Sequence, residues 1–136
     1  MDYLVLNETP LPLEYCELRK LAGMSNKTIE AAMLGLPKSL FAVIIRDKNS
    51  NQLIGMGRII GDLGCHVQIC DVVIHPEFQR KGLSRIIMNE IMKFIHHNVP
   101  ECAFVNLFAD IDYLYQKFGF IQSSKSVGMY LDRSRG

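Results

Sequence analysis

The sequence predicts an α+β domain in which a mixed, twisted central sheet carries flanking helices. Three observations point there. Strand-like apolar runs separated by polar turns fill residues 40–74. The apolar period then changes to helical spacing over residues 82–98. A further apolar run, residues 102–109, returns to strand character after Pro100. A meander followed by a helical crossover joins an antiparallel set to one parallel pair, which is a mixed sheet.

Taken in order, residues 3–6 form a short strand. Pro10 and Pro12 open a helix in which Leu13, Leu18 and Leu21 recur at near-helical spacing until Gly23. Ser25 and Asn26 are read as the cap of a second short helix through Gly35, closed by Pro37. Strands at 40–46 and 53–60 flank the turn Asp47-Lys48-Asn49-Ser50 and make a hairpin. Gly61-Asp62-Leu63-Gly64 turns the chain into a third strand, 65–74, which Pro76 ends. The long helix over 82–98 puts Leu83, Ile86, Ile87, Ile91, Phe94 and Ile95 on one face. His96, His97 and Asn98 close it, where cations and helix-ending residues are favoured. A strand at 102–109, a short helix at 112–118 stopped by Gly119, and a final strand at 126–131 complete the order.

The chain has 136 residues, which is one domain over residues 1–136, large enough to build a core without disulfides or a structural metal. Its 49% hydrophobic and 21% charged content is globular rather than disordered. Fifteen basic against fourteen acidic side chains leave a formal charge of +1, so no basic excess speaks for a nucleic-acid partner. No apolar run approaches the ~18–20 residues of a membrane span, and the start lacks the basic n-region of a signal peptide. No membrane partner and a cytoplasmic location are expected. Cys16, Cys65, Cys70 and Cys102 form no C-x-x-C pair and are read as free thiols. Cys65-His66 with Cys70 fits none of the usual zinc spacings, and no metal is expected. The methionines, Met24, Met33 and Met56 among them, read as gap-filling apolar residues, and the four histidines as structural or solvent-facing.

The informative stretch runs from Val72 to Arg85. A buried strand, Val72-Val73-Ile74, enters a turn marked by Pro76, and Gln79-Arg80-Lys81-Gly82 then opens the long helix at Leu83-Ser84-Arg85. Helix N-termini carry partial positive charge and ordinarily attract acidic or neutral side chains. Here three cations crowd the first turn, and no carboxylate lies between Glu77 and Glu90. An anion would complete that arrangement. Free backbone N–H groups, a glycine permitting close approach and three cations describe a phosphate cradle. A solvated basic turn is the plainer alternative. The loop is neither a Walker loop nor a G-x-G-x-x-G turn.

The run V-I-H-P-E-F-Q-R-K-G-L-S resembles the acetyl-coenzyme A signature of the GNAT N-acetyltransferase superfamily, with Gln79, Gly82 and Ser84 on its defining positions. Downstream, Tyr115-Gln116-Lys117-Phe118-Gly119-Phe120 is similar to the family's Y-E-K-x-G-F element, in the right order and at the usual distance. Two departures stand out. Ser84 replaces the commoner Gly or Ala, and Phe108 occupies a position where many members place an Asn.

The resemblance implies a GNAT-type acyl-CoA N-acyltransferase fold with acetyl-coenzyme A in the gap of a splayed sheet. It implies transfer of the acetyl group to a primary amine of a small molecule, polyamine, aminosugar or peptide. Backbone groups of Val72, Val73 and Ile74 would line the pantetheine arm, with the Val72 amide near the thioester carbonyl. The amides from Arg80 through Lys81, Gly82, Leu83 and Ser84 to Arg85 would hold the pyrophosphate, and Gln79 is a further cofactor-binding position. Tyr115 matches the family's acid for the leaving thiolate; packing beside Ile111 and Phe118 is its other reading. A lysine-like amine of pKa about 10.4 is neutral in only about 1 molecule in 2,500 at pH 7, a cost of roughly 4.6 kcal/mol. A base or desolvating pocket must offset it. Asp71, the one carboxylate beside the signature strand, either binds or deprotonates the acceptor or pairs with Arg58 across the hairpin. Gln68 lies where certain histone-acetylating members carry a catalytic Glu, and an amide is no base. Met24 is a candidate for the acceptor mouth. A non-catalytic coenzyme A-binding or sensor module is the rival function, and a homodimer is the default assembly.

Overall fold

The computed structural model describes residues 2–109 and 112–133. Five strands lie in chain order across one sheet: β1 (Tyr3–Leu6), β2 (Phe41–Asp47), β3 (Leu53–Gly61), β4 (His66–Ile74) and β5 (Phe104–Leu107). The first four pair antiparallel, whereas β4 and β5 run parallel, from His66 opposite Phe104 to Ile69 opposite Leu107. The expected mixed sheet is therefore present. The crossover is the helix α3 (Leu83–Asn98).

Helices cover both faces, which is why Val43, Ile44 and Ile45 are all buried along β2. On one side α3 lays Leu83, Ile87, Met88, Ile91 and Ile95 against Val43, Ile45, Ile59, Val67 and Ile69. On the other, α1 (Pro12–Leu21) and α2 (Ile29–Gly35) pack Tyr15, Leu18 and Ala32 on Ile44, Leu53, Met56 and Val73. Glu14 fixes the start of α1, accepting the Leu11 amide at 2.8 Å and both terminal nitrogens of Arg46 at 2.9 and 2.7 Å. The α3 face sits close to the sheet because β3 has a glycine under it. A Cβ on Gly57 would lie 2.6 Å from Ile87 Cγ2.

Several expectations need correction. On α1 the inward residues are Tyr15, Leu18 and Arg19, while Leu13 and Leu21 are exposed. The polar tips of Tyr15 and Arg19 find partners on the sheet, described below. The cap of α2 is Thr28, whose hydroxyl accepts the Ala31 amide at 3.1 Å. Ser25 is unavailable for that role, because its carbonyl and hydroxyl oxygens receive the Arg19 guanidinium. Met33 is exposed rather than gap-filling. The strand expected at 102–109 shrinks to Phe104–Leu107, since the Ala103 amide closes a turn on Pro100.

The helix expected at 112–118 is α4 (Asp112–Gln116). The strand expected at 126–131 does not form. The Ser123 hydroxyl takes the amides of Lys125 and Ser126, and Val127, Met129, Tyr130 and Leu131 stay 81–87% exposed. Strand propensity there is not met by pairing with the sheet, and a strand without a ladder is not a stable element.

Gly57→Ala should lower the unfolding free energy by about 1–3 kcal/mol in urea titration, the usual cost of overpacking a filled interior. A neutral outcome would mean that α3 has room to retreat.

Candidate active site

The register of β3 and β4 contains one irregularity. Met56 faces Val73 and Arg58 faces Cys70, so Asp71 and Val72 together stand opposite Gly57. This is a β-bulge, and Asp71 adopts φ 57° within it. Aspartate is among the few L-residues that tolerate that left-handed conformation. Beyond Ile69, β4 leaves β5, and Cys70–Ile74 keeps one edge without a strand partner among the described residues. The His75 amide donates to Ile54 on the β3 side, so alternation turns the backbone of Ile74, and of Val72, toward the gap. There the Gln79 side-chain amide donates to the Ile74 carbonyl at 3.3 Å.

A cavity of about 570 Å³ fills this wedge. Asp71, Val72, Val73, Ile74, Gln79, Arg80, Gly82, Leu83, Ser84 and Tyr115 all line it, so most residues expected at the site converge. Lys81 and Arg85 lie outside the lining, exposed at the α3 entrance, and the Lys81 ammonium sits 5.6 Å above the Phe78 ring. Met24 and Phe108 are also in the wall.

The α3 entrance is shaped to receive an anion. Arg80 and Gly82 both take positive φ, 65° and 78°, which turns the loop sharply into the helix. Gly82 is the residue preceding the helix and offers no side-chain cap, and the first turn holds no acidic side chain. The amides of Leu83, Ser84 and Arg85 have no acceptor among the described residues. Donors left open at a helix start bind anions. His75 shapes the approach: buried, it accepts the Glu77 amide at Nδ1 (3.1 Å) and packs edge-on against Phe78.

On the α1 side, Asp71 is enclosed. Its Oδ2 accepts the Tyr15 hydroxyl at 2.8 Å and Arg58 Nε at 2.7 Å, and its Oδ1 pairs with Arg19 Nη1. The carboxylate is only 6% exposed, and its partners Arg19 and Arg58 are 7% and 15% exposed. Burial alone would raise its pKa, but hydrogen bonds from Arg58 and Tyr15 and the two positive charges leave it lowered. Burial and the neighbouring Asp71 charge push the Tyr15 phenol up to about 12 and the Cys70 thiol up to about 11. Of the two readings of Asp71, pairing with Arg58 is the one these contacts support.

Tyr15 and Arg19 escaped the sequence reading. Their signal was a polar-tipped pair four residues apart on α1, one helical turn on the same face. Tyr115 borders the gap from α4, half-buried, with its ring edge-on to Phe120 at 6.4 Å. Its packing against Ile111 lies outside the described residues. Gln68 bridges the parallel strands, donating to Asn106 Oδ1 at 3.2 Å. Among the described residues, no three His, Cys, Asp or Glu side chains converge as a metal site, and no helix is long and apolar enough to cross a membrane.

Comparison with known proteins agrees with the fold. Residues 37–122 match the family model of the acetyltransferase (GNAT) domain. An uncharacterized N-acetyltransferase, ycf52, of Porphyra purpurea is 33% identical over 79% of this chain, which spans 64% of that relative. The ycf52 protein of Pyropia yezoensis is 30% identical over 94% of this chain and 75% of its own length. A probable acetyltransferase of unknown function from methicillin-resistant Staphylococcus aureus superposes with a TM-score of 0.91. It is 44% identical, over 96% of this chain and 99% of the other.

Asp71→Asn should cost about 3–5 kcal/mol of stability at pH 7, because two guanidiniums lose their buried counter-charge. A carboxyl with a lowered folded pKa stabilises above its unfolded value of about 3.9 and loses that contribution as pH falls further. The gap between variant and parent should therefore narrow below about pH 4 in denaturant titrations. A gap independent of pH would show that shape, not charge, is what the substitution removes.

Proposed function

The chain belongs to the GNAT acetyltransferase family, and on that premise we propose that it transfers the acetyl group of acetyl-coenzyme A to a primary amine. The observation that carries the reading is the wedge itself. One cavity joins an unpaired strand edge, an anion-receptive helix start and a phenol. Acetyl-coenzyme A supplies the activated acyl group.

The chain's own groups divide the remaining work. The amides of Leu83, Ser84 and Arg85 receive the pyrophosphate, with Arg80, Lys81 and Arg85 adding positive charge around it. The gap-facing backbone groups of Val72 and Ile74 pair with the extended pantetheine arm as an added strand would. Val73 turns its side chain to the opposite face, into the cluster under α1, and so anchors the segment. Gln79 sits on the Ile74 carbonyl and guards that edge. The Val72 amide, aimed by the bulge, donates to the acetyl oxygen as charge gathers there, which favours the transition state over the ground state. Tyr115 gives its proton to the departing thiolate, a fitting task for a phenol. Asp71 acts as a positioning residue that holds the bulge.

A cytosolic location accompanies the reading, in keeping with four free cysteines. Self-association accompanies it too, supported by the outer edge of β5 and the apolar surface of Val127, Met129 and Leu131. Sedimentation equilibrium should show a dimer that weakens when Met129 and Leu131 are both changed to Ser. A parent chain monomeric at all concentrations would remove this part of the proposal.

At 100 times their dissociation constants, acetyl-coenzyme A and coenzyme A should each add about 2.7 kcal/mol to stability in thermal melts, and ATP should add much less. Tyr115→Phe should lower kcat by about 10²–10⁴-fold while keeping that stabilisation. Stabilisation by neither coenzyme form would sink the proposal. Full turnover in the variant would remove only the acid role of Tyr115.

A further inference from the structure

The acceptor can be narrowed by the charge that walls its end of the cavity, an argument that rests on the acetyl-transfer reading above. Away from the α3 entrance, the wall is made by Ala22 and Met24 from the α1–α2 connection and by Cys70 and Asp71 of β4. Asp71 supplies the carboxylate among the described lining residues, and both its oxygens are engaged by Arg19, Arg58 and Tyr15. One carboxylate set against two guanidiniums leaves the cluster directly behind that wall net positive. Arg58 also donates to Ser39, and Arg19 to Ser25, so both charges are anchored.

Such a wall neither attracts an ammonium nor removes its proton. A carboxylate held by two guanidiniums is a weak base, and positive charge behind it disfavours any second cation brought close. The other titratable groups in or beside the cavity are no better suited. The Cys70 thiol stays protonated, Arg80 is a cation, Tyr115 stands on the leaving-group side, and His75 Nδ1 is committed to the Glu77 amide.

We propose that the acceptor is a primary amine of low basicity, of the peptide α-amine or aminosugar kind, which enters already neutral, in preference to a polyamine or lysine-type ammonium. At pH 7 an amine of pKa about 7.8 is neutral in about one molecule in seven, against about 1 in 2,500 for one of pKa 10.4. That ratio is supplied by the acceptor and asks no base of the enzyme.

The test is kcat/KM from pH 6 to 10 with acetyl-coenzyme A and four acceptors: a dipeptide amide, glucosamine, spermidine and Nα-acetyl-lysinamide. The first two should exceed the last two by about 100-fold or more at pH 7. The dipeptide amide and glucosamine profiles should rise and level off at about pH 8, whereas those of spermidine and Nα-acetyl-lysinamide should still be climbing toward pH 10. One inflection common to all four would reveal a base on the enzyme and overturn the proposal. So would spermidine matching the dipeptide amide, or turnover of none of the four by a chain that still binds acetyl-coenzyme A. Failure to bind acetyl-coenzyme A would instead remove the reading beneath it.

Discussion

Asp71 gathers two guanidiniums and a phenol at the point where β4 carries one residue more than β3. The extra residue bends β4 away from β5, and the bend creates the open edge, the wedge and the direction of the Val72 amide. Left-handed backbone at a non-glycine residue persists only where its surroundings over-determine it. Here they do so from two elements at once, α1 through Tyr15 and Arg19, and β3 through Arg58. Gly57, the single residue facing the bulge, completes the arrangement by letting α3 rest directly on the sheet.

The two ends of the cavity are both positive, but in different ways. At the α3 entrance the charge is exposed to solvent, on Arg80, Lys81 and Arg85, backed by open amides. Around Asp71 the charge is buried and fixed, with each guanidinium held by more than one acceptor. The first arrangement suits a ligand that arrives and leaves with its own negative charge. The second suits rigidity, because low polarizability strengthens every contact that is satisfied and penalises any that is not.

Much of this was legible in the residues themselves. The meander, the crossover and the parallel pair followed from changes in apolar period, since burial enforces that pattern wherever an element covers the core. The loop from Gln79 to Ser84 was legible because cations at a helix start contradict the helix dipole and need a reason. The inward face of α1 was not, because Tyr15 and Arg19 are buried against Asp71, 56 and 52 residues away, rather than by apolarity. Nor was the fate of residues 126–131, whose strand propensity is local while pairing is not. The bulge was hidden too. A strand read at period two gives no sign that its neighbour is one residue shorter.

The sheet also has an uneven grip on its edges. Leu6 meets Ile44 and Ile69 meets Leu107 at equal sequence separations, 38 positions in each case. Yet, among the described residues, β5 is held by four residues of parallel ladder on one side only, whereas β4 is zipped to β3 along most of its nine residues. Local opening follows the weakest cooperative unit. The wedge therefore has one stiff jaw and one compliant jaw, and its breathing is a property of β5.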